Sequence, residues 1–195
     1  SYSTITGIEN IFMTPKLQSD FSQGEGGVYG KLATSSWGEK ITGQEVELWD
    51  GSKTTLKAYD NIGNFFKTGF NTTQNINFQQ AISDKVNLYT SATYLHDNSK
   101  SPGQKLNRLN LINRVNAKFG QRNQWTTDIK VQYMRNMAYN RAVGGSNPGN
   151  YYGQLLTFPR TLDITQFRDG MDELGVPQKW YLETSGINPY WAASN

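Results

Sequence analysis

The chain has 195 residues, of which 36% are hydrophobic and 18% are charged, and its formal net charge is +3. No stretch approaches the roughly 20 consecutive apolar residues that a membrane-spanning helix needs, which excludes helical membrane spans. The small charge, without a basic run or a nucleic-acid-binding motif, argues against nucleic acid as a partner. Because the sequence has no cysteine, disulfides and cysteine metal sites are excluded, while the compartment stays open.

The first part of the chain is predicted to form one strand and then a long loop. In residues 2–12, Tyr2, Thr4 and Thr6 alternate with small polar residues, as in a β-strand. Residues 13–61 are rich in Gly, Ser and Lys and show little periodicity. We therefore expect a long loop between this strand and the next.

Residues 70–133 are predicted to form consecutive amphipathic β-strands. Side chains alternate across a strand with a period of two, so each strand has an apolar and a polar wall. Within these predicted strands every charged residue falls on the polar wall, as a bilayer-facing barrel requires. The apolar wall, predicted to face lipid, includes Val86, Leu88, Leu109, Leu111, Val115, Ile129 and Val131. The charged residues of the polar wall are Arg108, Arg114, Lys118, Asp128 and Lys130.

The connections between the predicted strands alternate in length. Ser83-Asp84 and residues 120–123 are typical of tight turns, whereas residues 13–61, 97–105 and 140–195 are predicted to be long loops. Bacterial outer-membrane barrels have short periplasmic turns and long extracellular loops. We therefore expect an all-β fold, a sector of a transmembrane antiparallel β-barrel, with the three long segments on the extracellular side.

A soluble β-sandwich with one buried face is the alternative, because it has the same alternation. Such a sandwich would carry long loops over more than half of the chain, which is uncommon in compact domains. Three residues disturb the pattern in either fold: Asn113 on the apolar wall, and Leu95 and Ile112 on the polar wall.

The sequence gives no indication of catalysis, a metal site or a cofactor. The single histidine, His96, lies at a strand end without a neighbouring nucleophile. A short helix is predicted over residues 163–168, because Asp163 is a suitable N-cap and Gln166 follows three residues later. The acidic residues in this region lack the spacing of a calcium loop and are interpreted as solvated charges or a helix cap. They are Asp163, Asp169, Asp172 and Glu173.

Aromatic residues in the long loops are the candidates for contacts with a substrate or a partner protein. A ring with an apolar face and a polar edge suits a pyranose ring and equally a protein surface. Packing within the loops is the alternative, and it is the prediction for Trp37 and Trp191. The contact candidates are Trp49, Tyr151, Tyr152 and Trp180.

Several motifs occur in a fixed order along the chain. They are Gln23-Gly-Glu-Gly-Gly27, Ser36-Trp-Gly-Glu-Lys-Ile-Thr-Gly-Gln44, Asp60-Asn-Ile-Gly-Asn-Phe-Phe-Lys-Thr-Gly69, Arg160-Thr-Leu-Asp-Ile164 and Asn188-Pro-Tyr-Trp191. Their order and approximate spacing resemble signatures of the SusC/RagA family of TonB-linked outer-membrane transporters, common in Bacteroidetes. Glu39 departs from the family pattern, which usually has proline there.

The resemblance implies a location and a function. SusC-like proteins import oligosaccharides across the bacterial outer membrane, energised by the TonB complex and covered by a SusD-like lipoprotein. RagA-like members handle oligopeptides, so both cargoes stay open, and a secreted glycan-binding β-sandwich remains the alternative from another class.

The resemblance also implies a domain organisation. Family barrels have about 22 strands and an N-terminal plug domain. Residues 1–195 are therefore expected to be the first strands and large extracellular loops of such a barrel. The plug, the TonB-contacting segment and the remaining strands would lie outside the chain, and the charged polar wall would contact the plug or line the lumen.

Overall fold

The computed structural model describes residues 1–145, 147, 149–171, 173–178 and 188–194. The fold is all-β with an antiparallel sheet, and short helices occur outside the sheet. In chain order the elements are β1 (Tyr2–Glu9), β2 (Gly24–Glu25), β3 (Val28–Tyr29), β4 (Glu45–Glu47), β5 (Lys53–Thr55), α1 (Asn61–Phe65), β6 (Gly69–Ser83), β7 (Val86–Asn98), β8 (Lys105–Phe119), β9 (Trp125–Tyr139), α2 (Tyr151–Thr157), a 3-10 helix (Ile164–Phe167) and α3 (Pro189–Ser194).

The chain divides into two compact units. The first, called the sheet unit, consists of Ser1–Glu9, Thr68–Ser99 and Lys105–Tyr139. The second, called the loop unit, consists of Asn10–Lys67, Lys100–Gln104 and Asn140–Asn195. The loop unit is thus built from the three segments that the sequence predicts as long loops.

The sheet unit is one antiparallel sheet of five strands in the order β1-β6-β7-β8-β9. Strands β6 to β9 have 13 to 15 residues each. They are much longer than a typical strand of a globular protein, which has about 5–6 residues. In the described part of the chain, β1 and β9 pair with a neighbour on one side only, so the sheet does not close on itself.

Both predicted tight turns are present, but the first lies one residue later than predicted, because Ser83 is the last residue of β6. Asp84 and Lys85 join β6 to β7, and residues 120–124 join β8 to β9. In the second turn Asn123 adopts a φ of 56°, a left-handed conformation that asparagine tolerates better than most residues, and its N–H donates to the Gly120 carbonyl.

The strand bounds differ from the prediction at both ends of the sheet. β1 ends at Glu9 rather than at residue 12, and β9 continues past Tyr133 to Tyr139. The longer strands place two cations on the apolar face: Arg135 opposite Leu109, and Lys105 opposite Tyr139. The apolar face therefore carries charged residues toward the end that joins the long segments. Its middle and its tight-turn end have none in the described strands, as predicted.

The pairing register brings the predicted apolar wall together on one face of the sheet. Val115 lies between Leu88 on β7 and Ile129 on β9, and the other predicted apolar residues share this face because their spacing is even. The irregular Asn113 lies opposite Thr90 and donates a 3.2 Å hydrogen bond to its hydroxyl oxygen. The register thus supplies a partner for the amide on this face.

The loop unit has its own hydrophobic core, formed mainly by α1, α2, the 3-10 helix and α3. Its helices are capped by side chains: Asp60 accepts from the Gly63 N–H at 3.0 Å, and Asn150 accepts from the Gly153 N–H at 3.2 Å. The core comprises Leu48, Ile62, Phe65, Tyr151, Leu155, Phe158, Leu162, Ile164, Phe167, Tyr190, Ala192 and Ala193.

Candidate functional site

The charged residues of the predicted polar wall lie together on the face opposite the apolar one, here called the polar face. Arg114 forms a bidentate ion pair with Asp128: its Nε lies 2.8 and 3.0 Å from the two carboxylate oxygens, and its Nη2 also contacts Oδ2. Arg108 donates through Nε to the Asn136 side-chain oxygen at 2.8 Å. The register thus pairs most of the charge on this face with a polar neighbour.

The fourth and fifth charged residues are arranged differently. Lys130 lies directly opposite Arg114 in the β8–β9 ladder, so two cations face one another across the strands. Lys118 lies opposite the neutral Thr126. In the described part of the chain neither lysine has a carboxylate within ion-pair distance.

A concavity of about 500 Å3 lies on the polar face. Its walls are strands β6 to β9, and its lining combines the Arg114–Asp128 pair and Lys130 with uncharged polar residues and with the apolar Leu88 and Ile112. The uncharged polar residues that line it are Gln79, Asn87, Tyr89 and Asn116. This composition suits a ligand with hydroxyl groups that donate and accept hydrogen bonds and with some apolar surface to contact Leu88 and Ile112.

The opposite face exposes large apolar side chains along its whole length. Ile129 and Val131 near its middle are 57% and 64% exposed. Phe119 and Trp125 lie opposite one another at the tight-turn end, and the exposed Tyr133 lies opposite Leu111 near the middle of β9. A contiguous apolar surface of this kind on a soluble protein marks an interaction site or a membrane contact.

Of the candidate contact residues in the loops, Tyr151 lies in the core. Its ring stacks on Phe65 with centroids 5.6 Å apart, and its hydroxyl is 2.8 Å from the Ser101 hydroxyl. The neighbouring Tyr152, the next residue of α2, is 44% exposed. The structure therefore places Tyr151 in a packing position and leaves Tyr152 accessible.

The tryptophans follow the sequence predictions only in part. Trp49 is half-buried, with its ring 5.5 Å from that of Phe167, and Trp180 lies outside the described residues. Trp191 packs against the core of the loop unit, as predicted. The packing prediction for Trp37 is wrong, because this residue is 66% exposed. Its ring contacts that of Phe21, with the ring centroids 6.0 Å apart.

Asp163 and His96 each have a local hydrogen-bond partner. Asp163 caps the 3-10 helix by accepting from the Thr165 N–H at 2.9 Å, which confirms the predicted short helix. His96 is half-buried with Nδ1 2.6 Å from the Asn107 side-chain oxygen. Asp172 lies outside the described residues, and the described residues hold no group of three or more His, Cys, Asp or Glu able to bind a metal ion.

Two of the sequence motifs form one structural element that their separation in the chain does not reveal. The Trp37 N–H donates to the Gly24 carbonyl, and the Gly38 N–H donates to the Ser22 carbonyl, both at 3.0 Å. Gly24 has a φ of 139°, and a Cβ there would lie 2.0 Å from the Val28 carbonyl oxygen. Glycine is therefore required where the two motifs cross.

Two asparagines of the motifs hold the core of the loop unit together, a role that the sequence alone does not indicate. Asn61 and Asn188 are fully buried. The Asn188 amide donates to the Phe167 carbonyl at 2.8 Å, and its oxygen accepts from the Tyr190 N–H at 2.9 Å. The sequence feature that could have indicated this role is the position of each asparagine in a motif that also contains aromatic residues.

None of the helices in the described ranges is long and apolar enough to cross a membrane. No protein-family model matches the chain, and a search of curated proteins finds no match.

Proposed function

We propose that the chain is a sector of an outer-membrane β-barrel transporter of the SusC/RagA type. It would import oligosaccharides, with energy from the TonB complex and with a SusD-like lipoprotein over its extracellular mouth. The observation that carries this proposal is the sheet with large exposed apolar side chains on one face and, on the other, polar and charged side chains that include the Arg114–Asp128 ion pair. A barrel wall between lipid and a hydrated lumen needs this distribution.

Strand length supports the same proposal. A tilted strand crosses the hydrocarbon core in about 9–11 residues, and strands β6 to β9 exceed that length by several residues. The extra length accounts for Arg135 and Lys105 on the apolar face. Both cations lie at the end of the sheet that joins the long segments, where a strand would emerge from the bilayer.

The two edges of the sheet define what the rest of the barrel must supply. In lipid every backbone N–H and C=O needs a partner within the protein. Strands β1 and β9 each have one edge without a neighbour in the described part of the chain. The proposal therefore requires further strands, and by resemblance a plug domain, from outside these residues.

The proposed activity is conformational and involves no covalent step by this chain. The strands provide a rigid wall and the polar face a hydrated surface, while the loop unit, with a core of its own, would form part of the extracellular mouth. Among the described loop aromatics, the exposed Tyr152 is the candidate for contact with cargo or lipoprotein.

Deleting the gene tests the proposal. Cells without it are expected to lose uptake of one class of labelled oligosaccharide, and complementation is expected to restore uptake only when TonB is present. Loss of oligopeptide uptake instead would select the RagA-like cargo. Unchanged uptake of all oligosaccharides and peptides would overturn the proposal.

The secreted β-sandwich makes a different prediction for the isolated chain. A sandwich would fold in water without detergent. The barrel sector is expected to aggregate in water, because its apolar face and both sheet edges would be exposed. A monodisperse, protease-resistant chain in detergent-free buffer would favour the sandwich.

A further inference from the structure

The concavity on the polar face contains an arrangement of charge that costs free energy when it is empty. Lys130 and Arg114 are directly opposite in the β8–β9 ladder, and like charges at such positions destabilise a sheet. Asp128 neutralises only one of them, because its carboxylate binds the Arg114 guanidinium in a bidentate pair. One positive charge therefore remains at this point of the concavity.

The geometry leaves donors for an additional anion. Arg114 reaches Asp128 through Nε and Nη2, so the N–H groups of Nη1 are not used in that pair. The Lys130 ammonium, with three donors, comes from the facing strand and has no carboxylate partner among the described residues. A carboxylate or sulfate between the two would make charge-assisted hydrogen bonds to both strands.

The remaining lining indicates what kind of molecule carries the anion. Asn87 and Asn116 are cross-strand partners, and Tyr89 lies opposite Arg114 on β7. Amide and phenol groups donate and accept hydrogen bonds, as sugar hydroxyls do. The volume of about 500 Å3 lies within the range of small-molecule sites, about 300–1,000 Å3.

We propose that this concavity is a subsite for an acidic sugar unit, a uronic acid or a sulfated sugar, held at its anionic group by Lys130 and Arg114. Asn87, Tyr89 and Asn116 bind the hydroxyl groups of the same unit. This inference rests on the proposed transport function, and it narrows the cargo to acidic oligosaccharides.

The test compares two lysines of the polar face in the complete protein, purified in detergent. Lys130→Gln removes the charge that lines the concavity, and Lys118→Gln removes a charge that lies outside the lining. Calorimetry measures the affinity for an oligogalacturonate, a sulfated galactan oligosaccharide and a neutral galacto-oligosaccharide of equal length.

The expected result is preferential binding of at least one acidic oligosaccharide, weakened roughly tenfold by Lys130→Gln and unchanged by Lys118→Gln. The wild-type affinity for the acidic ligand is expected to fall with added NaCl, because salt screens exposed charges. Equal affinity for acidic and neutral ligands, or equal effects of the two substitutions, would overturn the inference.

Two further outcomes would also overturn it. Binding of acidic peptides but not acidic sugars would assign the site to a different cargo. Failure of all acidic ligands to bind, together with a lower melting temperature for Lys130→Gln than for Lys118→Gln, would assign the anion to a side chain of the same protein. Uptake of neutral oligosaccharides by cells, measured in parallel, separates these failures from failure of the transport proposal itself.

Discussion

The side-chain amide of Asn61 donates a 2.9 Å hydrogen bond to the carbonyl oxygen of Leu162, 101 positions further along the chain. The same amide donates to the Pro159 carbonyl at 2.9 Å, and its oxygen accepts from the Ile164 N–H at 3.1 Å. One buried side chain thus holds helix α1 against the segment that leads into the 3-10 helix, and all three contacts are to backbone.

Asn61→Ala is expected to destabilise the loop unit by about 2–3 kcal/mol, because the Leu162 carbonyl and the Ile164 N–H would lose their buried partner. The Pro159 carbonyl would keep only the 3.4 Å hydrogen bond from the Leu162 N–H. Hydrogen exchange at the Ile164 amide measures the effect and is expected to accelerate. Asn64→Ala is the matched control, since Asn64 lies on the same helix with an exposed side chain. Equal exchange rates in the two variants would contradict this role for Asn61.

Val131→Lys tests the apolar face. Val131 is 64% exposed, so in water a lysine would be accommodated at little cost. At the midplane of a bilayer, a lysine on the lipid face of a barrel costs about 2–4 kcal/mol. The variant is therefore expected to assemble poorly in the outer membrane, measured as the folded fraction by heat-modifiable mobility on a gel.

Met134→Lys is the control for that experiment. Met134 lies on the same strand, is similarly apolar and is 56% exposed, but its side chain is on the polar face. Its lysine variant is expected to assemble like the wild type. Similar assembly of both variants would argue against lipid on the apolar face.

Alanine substitutions of the two adjacent tyrosines of α2 are expected to have different effects on stability and binding. Tyr151→Ala removes a ring stacked on Phe65 and leaves a cavity, which costs about 3–5 kcal/mol for a large aromatic residue. Tyr152→Ala is expected to change stability by less than about 0.5 kcal/mol and to weaken binding of cargo or lipoprotein. Limited proteolysis and a binding assay on the same samples separate the two effects, and the opposite order of protease resistance would contradict the assignment.

Tyr190 is expected to make the loop unit sensitive to alkali. Burial raises the pKa of its hydroxyl above the ordinary 10.0, although a hydrogen bond with Arg168 partly opposes the shift. Since the folded state then holds the proton more tightly than the unfolded state, stability is full below pH 10 or so and falls as the pH rises through the folded pKa.

A tyrosinate absorbance titration of the wild type minus that of Tyr190→Phe measures this pKa. The difference curve is expected to have its midpoint above that of free tyrosine, and the phenylalanine variant is expected to lose less structure in alkali. Tyr190→Phe also removes the hydrogen bond to the Asn64 carbonyl at 3.2 Å, so its stability at neutral pH serves as the baseline. A midpoint at or below the ordinary value would contradict burial of the hydroxyl.

The sheet could be predicted from the sequence because the patterns that specify it, alternating side chains and short turns, lie within short segments of the chain. Alternation around Val115 specifies a face, and the tight turns on either side fix the register of Val115 with Leu88 and Ile129. The prediction stopped at Tyr133 because Arg135 interrupts the alternation. The strand nevertheless continues, since its backbone pairs with β8 irrespective of the charge on that side chain.

The loop unit could not be predicted in the same way, because its contacts are long-range. Nothing near Tyr151 and Tyr152 indicates which ring is buried; the position of α2 against Phe65 decides it. Trp37 lies where the segments around Gly24 and Gly38 cross, and its ring is exposed there. Such outcomes depend on segments that the chain brings together only in three dimensions.

The long-range bonds of Asn61 also constrain the order of folding. The hairpins of the sheet unit join neighbouring strands, and such local contacts close quickly. The core around Asn61 needs the Pro159 carbonyl, 98 residues later, and Asn188 completes the same core near the end of the described chain. Strand pairing can therefore precede completion of the loops during biogenesis, and a chain interrupted before residue 159 would leave Ile62 and Phe65 open to chaperones and proteases.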